Sequence, residues 1–128
     1  MVKLSLKEGL LYASVKLFHQ GNSIEVKDMI VDTGASHTII IPDYLEEMDT
    51  ELSDEDTIVK ASGYGGKVCY SVRKRIDKVE CGDILVENMK IDFGEIDPKE
   101  RVNGLLGLDF LKNTGIIIDL VELEMYRK

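Results

Sequence analysis

Met29-Ile30-Val31-Asp32-Thr33-Gly34-Ala35-Ser36 sets an acid where packing alone would put another apolar residue. Ile30 and Val31 are β-branched and favour an extended backbone. A carboxylate directly after such a run lies buried or half-buried, and burying an ionised acid is costly unless it has a partner or a task. Thr33 brings a hydroxyl for a hydrogen bond. Gly34 lets the chain turn tightly and leaves its N–H available to the carboxylate. Ala35 and Ser36 are small enough to admit another chain or a substrate.

Upstream, Leu10 to Phe18 alternates, with Leu11, Ala13, Val15 and Leu17 on one face. His19-Gln20-Gly21-Asn22 supplies a turn, and Ser23 to Val31 runs on as a second strand, so the two form a hairpin. Ile24, Val26 and Ile30 are expected to share a face. Downstream, Thr38-Ile39-Ile40-Ile41 reads as a short buried strand. Pro42 to Met48 has proline early and acids near its start, which suits one or two helical turns. Asp49 to Asp56 is polar and acidic and reads as an exposed loop.

Thr57 to Val72 is extended on both sides of Ser62-Gly63-Tyr64-Gly65-Gly66, a glycine-rich hairpin tip. Arg73-Lys74-Arg75 reads as a solvated strand end. The strand continues to Val79, Cys81-Gly82-Asp83 turns, and Ile84 to Phe93 extends again. Asp97-Pro98-Lys99-Glu100 is a loop. Asn103 to Lys112 reads as a buried strand running into a short helix, and Gly115–Asp119 with Leu123–Tyr126 as a closing strand pair. Many short strands with little helix predict an all-β barrel or sandwich. Neither a repeat nor a linker divides residues 1–128, so a single domain is expected.

The order of these features resembles the retropepsin-like aspartic proteases. In that family an apolar strand precedes an Asp-Thr/Ser-Gly motif with a small residue after it, as Met29-Ile30-Val31 precedes Asp32-Thr33-Gly34-Ala35-Ser36. A second apolar strand follows, then a glycine-rich flap hairpin, matched by Ser62 to Gly66. Finally an apolar-apolar-Gly-x-Asp/Asn-apolar-Leu segment enters the C-terminal helix, matched by Leu105-Leu106-Gly107-Leu108-Asp109-Phe110-Leu111. The resemblance implies a single-domain closed β-barrel with one short C-terminal helix, acting as an aspartic endopeptidase on peptide or protein substrates. It assigns catalysis to Asp32, Thr33 and Gly34, and substrate contact to Ala35, Ser36, Ser62, Gly63, Tyr64, Gly65 and Gly66.

The chemistry of that family needs two neighbouring carboxylates, one protonated and one ionised. Asp49-Thr50-Glu51, Asp56-Thr57-Ile58 and Asp119-Leu120-Val121 all lack the glycine of a second motif, so the resemblance implies a homodimer with one Asp32 from each subunit. Retroviral members carry an acid where Ser36 stands and an arginine where Leu108 stands, which pair with each other. Both are replaced here, so neither charge is stranded. The alternative from another class is a dimeric peptide-binding or scaffolding module that keeps the fold without turnover.

Composition narrows the remaining classes. The chain has 128 residues, 44% hydrophobic, with a formal net charge of -8. That acidity argues against a nucleic-acid face, which needs clustered Lys and Arg. No run approaches the ~20 apolar residues of a membrane span. Met1 to Glu8 lacks the apolar core of a signal peptide, so a cytoplasmic protein without membrane partners is expected. Cys69 and Cys81 could pair across a hairpin, but a reducing compartment favours free thiols in strands. With His19 and His37 the only histidines, neither a metal site nor any cofactor is expected. His37 reads as a loop residue near the cleft, and Asp109 as a structural acid.

Overall fold

The computed structural model describes every residue except 49, 51–52, 63–67 and 97–101, with only the backbone of 61 and 62. Its strands are β1 (Val2–Lys3), β2 (Ser5–Lys7), β3 (Leu10–His19), β4 (Asn22–Val31), β5 (Ile39–Ile40), β6 (Thr57–Ser62), β7 (Val68–Cys81), β8 (Ile84–Gly94), β9 (Gly104–Leu106), β10 (Ile116–Asp119) and β11 (Glu124–Arg127). Two short helices complete it: α1 (Asp43–Glu47) and α2 (Leu108–Asn113). The expected all-β class holds.

Strand order is β2-β3-β4-β9-β5-β8-β7-β6, and β3 also pairs with β7. That second pairing, with Leu17 opposite Val79, closes six of the strands into a barrel. The β3–β4 and β7–β8 hairpins are antiparallel and local in sequence. In contrast, β9 runs parallel to β4 and antiparallel to β5, so it is wedged between segments that precede it by many residues. Its first residue has to be small. A Cβ on Gly104 would lie 2.8 Å from Met29 Cε and 2.9 Å from the Ile39 carbonyl oxygen. A separate sheet, ordered β1-β11-β10, joins the N-terminal strand to the closing pair.

The core gathers Val15, Leu17, Val26, Met29, Ile40, Ile76, Ile91, Phe93, Leu106 and Phe110, all with essentially no solvent exposure. Burying such side chains contributes about 1.5–3 kcal/mol each. The face expected for Ile24, Val26 and Ile30 is broken by a bulge. Val15 pairs with Val26 but Ala13 pairs with Met29, leaving Lys27 and Asp28 opposite Ser14. Asp28 takes the extra turn at φ +52°, and its N–H donates to Ser14 Oγ at 3.4 Å. The bulge brings Met29 into register with Ala13 and puts Ile30 on the opposite face, beside Tyr12.

Two other expectations are corrected. Lys74 is not at a solvated strand end but in the middle of β7, and its ammonium meets Asp56 at 3.0 Å with the two side chains only 4% and 6% exposed. Asp56 is therefore the buried end of the loop expected to be exposed. Its carboxyl is pushed up by burial, yet the Ser53 N–H and the Lys74 ammonium outweigh this and hold it below the ordinary range. Arg73 makes a forked pair with Asp92, at 2.7 and 3.0 Å. The Asp97–Glu100 loop lies outside the described residues.

His19 ends β3, buried, with its Nδ1 accepting the Asp77 N–H at 3.3 Å. Burial lowers its pKa below 6.5, the opposing pull of Asp77 and Asp56 being smaller and the Lys74 and Arg75 charges adding to the lowering. The unfolded chain therefore takes up a proton before the folded one does. The stability due to a neutral His19 is complete above pH 6.5 and is lost as pH falls from there to the lower folded value. Urea midpoints measured across that range should fall for the parent protein. For His19→Gln the same limb should be flatter; parallel limbs would show that His19 does not titrate the fold.

Candidate active site

β4 delivers Asp32 at its end, and the following loop returns to β5. The Asp32 N–H donates to the Leu106 carbonyl at 2.9 Å, which continues the β4–β9 ladder by one residue. The ladder fixes the backbone from which the carboxylate projects. Gly34 N–H donates to Asp32 Oδ1 at 2.8 Å, and the Ala35 N–H closes the turn on the Asp32 carbonyl at 3.2 Å. One carboxylate oxygen is thus held by the backbone, and the other has no hydrogen-bond partner among the described residues. Asp32 itself is half-buried, while Thr33, Gly34, Ser36 and His37 are exposed.

The loop rests on the turn between β9 and α2. Leu108 N–H donates to the Ala35 carbonyl at 2.8 Å. Thr38, only 1% exposed, donates through its N–H to Asp109 Oδ2 at 2.9 Å and through its hydroxyl to Asp109 Oδ1 at 2.7 Å. The same hydroxyl accepts the Gly107 N–H at 3.1 Å. Oδ1 of Asp109 also accepts the N–H of Phe110 at 2.8 Å. The motif and the helix segment, distant in sequence, therefore form one hydrogen-bonded unit.

Asp32, Thr33, Gly34, Ala35 and Ser36 thus come together on one loop. Ser36 Oγ lies 3.1 Å from His37 Nδ1. Of the other expected contact residues, Gly63, Tyr64, Gly65 and Gly66 lie outside the described residues. Ser62 is described only by its backbone, which pairs with Val68 at the end of the β6–β7 hairpin. Sequence reading passed over Thr38 and left Asp109 a structural acid. Two signals were available: a threonine opening an apolar β-branched run, and an acid at the second position of a short helix.

Competing chemistry finds little support. The cysteines are not paired with each other, and burial pushes the Cys81 thiol up to about 12, which removes its nucleophilicity near neutral pH. Among the described residues, no group of three or more His, Cys, Asp or Glu side chains could hold a metal ion. Among the described residues, no helix is long and apolar enough to cross a membrane.

A barrel whose motif strand and helix segment interlock in this way is the retropepsin-like fold. Residues 15–110 match the family model described as Aspartyl protease, and the chain belongs to that family. Among solved structures it is similar to a retropepsin-like aspartic protease from Rickettsia conorii, with 21% identity and a TM-score of 0.63 over 93% of this chain and 83% of the other. It is also similar to the retroviral protease-like domain of Ddi1 from Leishmania major, with 18% identity and a TM-score of 0.63 over 93% and 88% of the two chains. No curated protein matches.

Proposed function

We propose that the chain is a single-domain aspartic endopeptidase that works as a homodimer, with Asp32 of each copy forming the catalytic pair. The observation that carries this is the held carboxylate: Asp32 Oδ1 bound by Gly34 N–H at the end of an anchored strand, half-open to solvent. Two such groups brought close share one proton, because neighbouring like charges disfavour double ionisation. The ionised member takes a proton from water as it attacks the peptide carbonyl. The protonated member donates a hydrogen bond to the carbonyl oxygen as charge develops there. The proton taken from water then passes to the departing amine.

Thr33 and Gly34 hold the two carboxylates in plane, and Ala35, Ser36, Ser62, Gly63, Tyr64, Gly65 and Gly66 take the substrate as an added strand. The edge of β10 supports dimerisation. It has β11 on one side and, among the described residues, no strand on the other. Three of its four residues, Ile116, Ile117 and Ile118, are apolar, and the only charge that could blunt the open edge is Asp119 at its end. Leu120 and Val121 beside it are 69% and 88% exposed. Unpaired thiols suit a cytoplasmic site of action.

The test is cleavage of a diverse peptide library at a series of protein concentrations, with sedimentation in parallel. Activity per chain should rise with the dimer fraction. Turnover by a monomer, or absence of turnover by a dimer that also fails to bind a pepstatin-like inhibitor, would remove the reading.

A further inference from the structure

Just past the motif loop the surface dips into a cavity of about 300 Å³ between β8 and α2. His37, next after Ser36, forms part of its wall, so the cavity continues from the loop that carries Asp32. Arg73 and Lys90 line it from β7 and β8, and Asp109 and Asn113, one helical turn apart, line it from α2. The polar groups around it are unevenly committed. Arg73 gives its Nε–H and one Nη2–H to Asp92, at 2.7 and 3.0 Å, and its Nη1 has no partner among the described residues. Lys90 is exposed, and neither it nor the side chain of Asn113 bonds to another described residue. Asn88 lends its oxygen to Arg75 at 2.7 Å, which leaves its NH2 as a donor. The acids are mostly spent. Both oxygens of Asp109 are taken by Thr38, at 2.7 and 2.9 Å. Of the two carboxylates in the lining, only Glu87 is without a partner among the described residues.

A wall with many free donors and one free acceptor suits a group that is itself rich in acceptors and negatively charged. The rest of the molecule sharpens the contrast. With a net charge of -8 the chain repels an acidic segment over most of its surface. We infer that this cavity is a subsite for an acidic side chain, Glu or Asp, of the substrate, with Lys90 as its main charge partner; the inference rests on the proteolytic reading above and names a substrate class for it. Because His37 stands five positions along the loop from Asp32, the selected side chain lies at least one residue away from the scissile bond. Lys90 acts here as a specificity-determining residue and takes no part in the chemistry.

The experiment uses a positional-scanning peptide library with Glu, Gln or Lys fixed at each position in turn. Cleavage is measured with the parent protein and binding with Asp32→Asn. At one position Glu should exceed Gln by about 3- to 10-fold in both affinity and kcat/KM, with Lys below Gln. Lys90→Ala should bring Glu and Gln to within about twofold and leave the Gln peptide handled as before. Lys90→Glu should favour Lys over Glu at that position, and Glu87→Gln should widen the preference for Glu. Lys16→Ala removes the same charge from an exposed site on β3 and should change nothing. The preference should also shrink as salt rises from about 0.05 to 0.5 M, because the pair is reached by solvent. Equal handling of Glu and Gln at every position, a preference that survives Lys90→Glu, or one that Lys16→Ala also removes would overturn the inference. Selective binding without cleavage by the parent would remove the proteolytic reading and leave the subsite standing, whereas cleavage without any such preference would do the reverse.

Discussion

Asp32→Asn is expected to lower kcat for peptide cleavage by at least ~10⁴-fold while leaving the fold and the dimer intact. The amide has the size of the carboxylate, and its oxygen can still accept the Gly34 N–H that Oδ1 accepts at 2.8 Å. Because Asp32 is half-exposed, the exchange strands no buried group. Only the ability to give and take a proton is lost. The same variant tests the shared site. Mixed in ninefold excess with the parent and allowed to exchange subunits, it should leave roughly one-tenth of the parent's activity per parental chain, because random pairing puts most parental chains into one-carboxylate dimers. Full retention of activity in the mixture would mean that one carboxylate suffices. Appreciable turnover by the variant alone would place the chemistry on other residues.

Local patterns made much of this fold legible. The alternation of Leu11, Ala13, Val15 and Leu17 describes β3 correctly, since a strand with one face on the core repeats every two residues. Leu105-Leu106-Gly107 and the helix after it were also plain, because an apolar run and an amphipathic turn sit side by side. What escaped depends on contacts between distant segments. Lys74 is charged and flanked by arginines, so nothing local signals that Asp56 buries it; the pair exists only because β7 brings the two together. Asp28 gave no sign that it would take a left-handed bulge and exchange Ile30 for Met29 on the core face. The N-terminal strands β1 and β2 are too short to show a period. The pin between Asp109 and Thr38 follows from β9 lying between β4 and β5, a crossing that sequence order conceals. Asp32 was legible because an acid after an apolar β-branched run contradicts packing; Asp109 was not, because an acid early in a helix is ordinary.

Gly107→Ala should destabilise the protein by about 3 kcal/mol, at the upper end of what overpacking costs, and should impair cleavage as well. Gly107 has φ −95° and ψ −175°, a conformation open to any residue, so the requirement is for space rather than backbone freedom. A Cβ there would lie 2.8 Å from the Ala35 carbonyl oxygen, 2.8 Å from the His37 carbonyl carbon and 2.9 Å from its oxygen. All three are backbone atoms of the motif loop and cannot rotate aside as a side-chain tip could. Either the loop lifts, stretching the Leu108–Ala35 and Thr38–Asp109 bonds that tie it to the helix segment, or the start of α2 moves away from it. Gly21→Ala serves as the control. Gly21 has φ +81°, and a Cβ there would meet nothing within 4 Å, so its cost is conformational, about 1 kcal/mol, and local to the β3–β4 turn. Thermal melts with kcat measurements separate the two: Gly21→Ala should lose a little stability and no activity, and Gly107→Ala should lose both. If Gly107→Ala melts with the parent and cleaves as well, the loop does not lie against the helix segment as closely as the structure has it, and the physical link between the helix motif and Asp32 is gone.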